Sequence, residues 1–60
     1  MFTVTKLINV INGKELVEAA CLSTDDKYGN VANGSICIEM NTGKIFMFNE
    51  AGSAWVELSA

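Results

Sequence analysis

The chain has no histidine, no arginine and no proline, and its only thiols are Cys21 and Cys37. These absences remove whole classes of function. A structural zinc site takes four ligands of the Cys, His or carboxylate kind, and two cysteines without histidine do not supply a usual set. Cysteine nucleophiles need a base, commonly histidine, to generate thiolate, so neither thiol has an obvious activator. The four lysines, Lys6, Lys14, Lys27 and Lys44, are scattered along a chain of net charge −3. Binding to phosphate backbones needs a basic surface, so no direct nucleic-acid partner is expected. No apolar run reaches the roughly 18 residues of a membrane-spanning helix, and no membrane partner is expected. Gly29, Gly34, Gly43 and Gly52 stand singly as turn residues, not in a phosphate-binding loop. A carboxylate pair drawn from Glu39, Glu50 and Glu57 would need a cleft that a chain this short has little room to build. The expectation is no catalytic residue, no cofactor and no metal.

What is present is apolar bulk. Half of the 60 residues are hydrophobic, yet a domain of this size buries only about 60% of its unfolded surface. Such a chain forms one small domain, residues 1–60, with more apolar side chains than it can hide. Small scaffolds compensate with disulfides, a metal or oligomerisation. No basic region followed by an apolar run opens the sequence, so synthesis in a reducing cytosol and reduced thiols are expected, with a Cys21–Cys37 bond left open. Oligomerisation is then the favoured source of extra stability.

Residues 2–11, FTVTKLINVI, begin with alternation and are rich in β-branched and aromatic residues, which predicts a strand. Asn12-Gly13 is the pair most typical of a type I′ hairpin turn, so 14–22 is expected to return as a second strand. The alternative is a short helix over 14–22, making the fold α+β, since Leu16, Val17, Ala20 and Cys21 share a helical face. That helix would be only about two and a half turns long and would need tertiary packing. Residues 23–35, STDDKYGNVANGS, read as a polar loop. Asp25 and Asp26 lack the alternating oxygen ligands of a calcium loop and read as a solvated turn.

A three-stranded antiparallel meander follows, over 36–40, 44–49 and 54–58. Taking Asn41-Thr42-Gly43 as a three-residue loop with Gly43 left-handed pairs Met40 with Lys44, Ile38 with Phe46, and Ile36 with Phe48. That register places Ile36, Ile38, Met40, Phe46 and Phe48 on one face. Trp55 reads as a core or interface anchor in preference to a sugar-stacking platform. The second turn, Glu50 to Ser53, leaves its face open. The expected fold is therefore all-β: an N-terminal hairpin (2–11/14–22) followed by the meander, with one meander face covering the hairpin and the other wanting a partner.

Ser23-Thr24-Asp25, Asn33-Gly34-Ser35, Glu39-Met40, Thr42-Gly43-Lys44, Phe48 and Trp55 follow a pattern close to LSTDTKP, NGS, EMDTGK, FD and W. In this respect the chain, over about residues 22–58, resembles a short element recurrent in tailed-bacteriophage virion proteins. Asn41 and Asn49 stand where Asp is commoner, and the proline usual near Tyr28 is missing. The resemblance implies a non-enzymatic virion structural protein assembled in the host cytoplasm, of the capsid-decoration, cement or head-fibre type. Its partners would be further copies of itself, the major capsid protein, or both. The expected interface is Ile36, Ile38, Met40, Phe46, Phe48 and Trp55. The alternative is a carbohydrate- or host-surface-binding module of a phage tail or fibre protein, acting through Trp55. An enzyme or redox protein using Cys21 or Cys37 is a remote third.

Overall fold

Asn12 and Gly13 both adopt positive φ, 51° and 79°, the conformation that a two-residue type I′ hairpin requires. In the computed structural model, which describes residues 1–58, this turn joins β1 (Thr3–Ile11) to β2 (Lys14–Cys21). The 14–22 segment is thus strand, and the helical alternative does not form. Three shorter strands follow, β3 (Ile36–Glu39), β4 (Ile45–Asn49) and β5 (Ala54–Glu57), and all five make one sheet in the order β1-β2-β3-β4-β5. The fold is all-β.

The hairpin and the meander do not stack face to face as expected. They join edge to edge, because β2 pairs with β3 in parallel, Glu18 opposite Ile36 through Cys21 opposite Glu39. Parallel neighbours need a crossover of a dozen or more residues, and residues 22–35 provide it. This crossover, together with Phe2, covers one face of the sheet over β2 to β4, with Trp55 of β5 packed against it. Beneath it lie Phe2, Ala19, Cys21 and Cys37 as one buried cluster and Val17, Val31 and Phe48 as another, with Trp55 packed against both.

The Asn33-Gly34-Ser35 run fastens the crossover to the sheet. Gly34 has φ 91°, a conformation that side chains disfavour, and this turns its N–H onto the Phe48 carbonyl at 2.9 Å. Phe48 N–H returns a bond to Ser35 O at 2.8 Å, and Ala32 N–H donates to Glu15 O at 2.8 Å. The fully buried Ser35 hydroxyl accepts from Val17 N–H at 3.2 Å and donates to Ala32 O at 2.8 Å. One serine thus satisfies backbone groups of both β2 and the crossover, which buried polar groups demand.

β1 is exposed along its whole length. Its pairing with β2 slips between Val4 and Lys6 and between Leu7 and Asn9. Each extra residue bends the strand and resets its alternation, so Val4 and Leu7 both lie opposite core-face residues, Ala19 and Val17. Two such bulges on an edge strand discourage open-ended pairing with other chains.

Candidate functional site

The loop between β3 and β4 holds four residues, Met40 to Gly43, instead of three. Glu39 N–H donates to Lys44 O at 2.9 Å and Gly43 N–H to Glu39 O at 2.8 Å. Met40 N–H turns away to Cys21 O at 2.8 Å. The parallel joint with β2 therefore removes Met40 from the hairpin ladder, and the closing pair becomes Glu39 with Lys44. The register moves by one residue: Ile36 lies opposite Met47, Cys37 opposite Phe46, and Ile38 opposite Ile45. A slip of one residue exchanges the faces of a strand. Ile36 and Ile38 consequently do not share a face with Phe46 and Phe48, which corrects the grouping expected from the sequence.

The six residues expected at an interface divide accordingly. Phe48, 3% exposed, lies in the core, and Phe46 and Trp55 are partly buried against it. Ile38 is 41% exposed on the opposite face, Ile36 lies beside it on the same strand face, and Met40, 66% exposed, sits in the loop. The turn after β4 brings Trp55 opposite Phe48, with the two rings edge to face and centroids 5.3 Å apart. The indole N–H donates to Tyr28 O at 3.0 Å, and Phe2 packs 5.9 Å from the indole and 4.7 Å from the Tyr28 ring. An indole so engaged is a core anchor and is poorly placed as a stacking platform.

The uncovered face of β3 to β5 is one candidate surface. Cross-strand pairs place Ile36 with Met47, Ile38 with Ile45, and Met47 with Val56 on it, and Leu58 continues the alternation of β5. Ile38, Ile45, Val56 and Leu58 are all exposed. A shallow depression of about 220 Å³ opens there among Asn33, Met47, Val56 and Leu58. It falls below the roughly 300–1,000 Å³ of small-molecule pockets. Sequence reasoning missed Met47 and Val56 as members of this face; the alternation of β4, which puts Ile45 and Met47 on the side away from Phe46 and Phe48, is the signal that could have found it.

The covered face holds a polar constellation. Lys27 Nζ donates to Glu39 Oε2 at 2.7 Å and stands 4.3 Å above the centre of the Phe46 ring, while Thr42 Oγ donates to Glu39 Oε1 at 2.7 Å. The Lys27 hydrogen bond, and then that of Thr42, hold the Glu39 carboxyl below its ordinary value. Burial alone would push Lys27 down, but the hydrogen bond to Glu39, together with the charge interactions with Cys21, Glu39 and Cys37, outweighs it and raises the ammonium. Beside this pair the Cys21 and Cys37 sulfurs meet at 3.0 Å as free thiols. Burial, reinforced by the contact with Cys21, pushes the Cys37 thiol up to about 12, which disfavours a nucleophilic thiolate.

Several polar residues of the crossover and the β3–β4 loop have structural partners. Asp25 accepts the Leu22 amide at 2.8 Å. Asn41 accepts from Ser23 N–H at 2.9 Å and donates to Ser23 Oγ at 2.8 Å, tying the start of the crossover to the β3–β4 loop. Asn33 accepts the Glu50 amide at 2.9 Å. These residues position backbone, and of them Asn33 alone also lines the shallow depression. Among the described residues, no group of three or more His, Cys, Asp or Glu is placed to hold a metal ion. In comparisons with protein-family models, with curated proteins and with solved structures, nothing matches this chain.

Proposed function

We propose that the chain is a non-enzymatic structural interaction module of a tailed-phage virion, acting by self-assembly through the uncovered sheet face. The observation that carries the proposal is the placement of Ile36, Ile38, Met47, Val56 and Leu58 on one face, opposite a core that already has its cover. A scattered exposed isoleucine needs no explanation, but a contiguous apolar patch across three strands marks an interaction surface. The occupant is a further copy of the chain. The patch crosses β3, β4 and β5 through the pairs Ile36–Met47, Ile38–Ile45 and Met47–Val56, and a self-complementary face of this kind is what a symmetric pair of copies buries. The phage-like pattern supports the virion setting, since its polar residues build this same sheet and its crossover.

Size-exclusion chromatography with light scattering, run from low to high micromolar concentration, tests the assembly. The wild type is expected to oligomerise, and Ile38→Lys combined with Val56→Lys to be monomeric with the sheet retained by circular dichroism. A wild type that stays monomeric throughout, and that does not bind tailed-phage capsids in co-sedimentation, would overturn the proposal.

A further inference from the structure

The longest connection of the fold ends on two facing thiols. Cys21 closes β2, Cys37 stands in β3, and the crossover between these strands lies within the segment that they bound. Both side chains point into the core, 3% and 0% exposed, and their sulfurs are 3.0 Å apart. That is closer than the roughly 3.5–4.0 Å at which even two carbon atoms rest, and about 1 Å longer than a disulfide bond. We propose that Cys21 and Cys37 are a dithiol pair that a small-molecule disulfide, such as oxidised glutathione, converts reversibly to a cystine locking β2 to β3.

The step balances as two exchanges. The Cys21 thiolate, in a transiently opened core, attacks one sulfur of the oxidant and displaces a glutathione thiolate, which takes up the proton that Cys21 lost. The Cys37 thiolate then attacks the Cys21 sulfur of the mixed disulfide and displaces the second glutathione, which is protonated in turn. Two electrons pass from the protein sulfurs to the oxidant, and two glutathione thiols leave. Cys21 is the first nucleophile because it ends its strand, whereas Cys37 is wholly enclosed and its thiol is pushed up by burial. Bringing the sulfurs to bonding distance requires the diagonal pair to close by about 1 Å. The bond has a specific consequence here. β2 and β3 are parallel and no tight turn holds their register, so the unfolded chain must close a loop spanning 16 positions to pair them. A cystine makes that closure permanent.

The test uses the unmodified chain, equilibrated with oxidised glutathione in mild urea and returned to buffer. Intact mass is expected to fall by about 2 Da, the loss of two thiol hydrogens. Trypsin cleaves after Lys14, Lys27 and Lys44, so peptides 15–27 and 28–44 should appear joined through Cys21 and Cys37. A crosslink over a loop of this length lowers the unfolding equilibrium constant by up to about 10²-fold and raises Tm by roughly 10–20 °C, and dithiothreitol should reverse both. Free thiols after equilibration, glutathione adducts without the linked peptides, or disulfides between chains would overturn the proposal. So would a linked form whose Tm does not rise.

Discussion

The division of the sheet into a covered and an uncovered face is open to direct test, because the two faces assign opposite roles to Phe48 and Ile38. Phe48 is 3% exposed, packs with Val17 and Val31, and meets Trp55 edge to face. Truncating a buried phenylalanine to alanine removes its transfer free energy and leaves a cavity, together about 3–5 kcal/mol. The aromatic pair accounts for roughly 0.5–1.5 kcal/mol of such a loss. A 60-residue domain, at roughly 0.05–0.15 kcal/mol per residue, has about 3–9 kcal/mol in total. Phe48→Ala should therefore remove most of the stability or unfold the chain. Ile38, 41% exposed, has no such cavity to leave, and Ile38→Ala should cost below about 1 kcal/mol, well under the core range. Urea titration followed by Trp55 fluorescence measures both, since the indole sits on Phe48. Each variant is compared with wild type at several protein concentrations, because self-association would add a concentration-dependent contribution. Comparable losses for the two variants at low concentration would refute the register, because the pairing expected from the sequence put both residues on one face.

Two further outcomes follow from the polar interior. Ser35→Ala leaves the buried Val17 N–H without its acceptor and should cost about 1–3 kcal/mol; a urea midpoint unchanged from wild type would count against its bridging role. The Lys27–Glu39 pair makes stability depend on pH at both ends. Glu39 is lowered in the folded state, so its contribution is complete above its ordinary value of 4.5 and is lost as pH falls through the depressed one. Lys27 is raised, so its contribution is complete below 10.5 and is lost as pH rises through the elevated one. Urea midpoints across pH should show a plateau falling at both limits, and Glu39→Gln should flatten the acid limb; an acid limb of unchanged steepness would remove Glu39 as its cause.

Local structure was legible in the chain alone. Asn12-Gly13 specified the first hairpin because few other pairs accept two successive positive φ values, and the β-branched runs marked all five strands to within a residue or two. Gly43 is left-handed, as its place in the turn required. How those strands meet was settled by long-range pairing. The parallel joint between β2 and β3 has no local signature, since its partners lie apart in sequence and its connection is irregular. That joint draws the Met40 amide to Cys21, lengthens the loop to four residues and shifts the register by one. Because side chains alternate along a strand, that single residue exchanged the faces: it sent Phe46, Phe48 and Trp55 to the core and left Ile36, Ile38, Met47 and Val56 on the open side. The same joint brought Cys21 and Cys37, distant in the chain, into contact. Composition made half of the chain hydrophobic; the tertiary pairing chose which of those residues the core takes and which stay exposed, because strand register decides the face of every side chain.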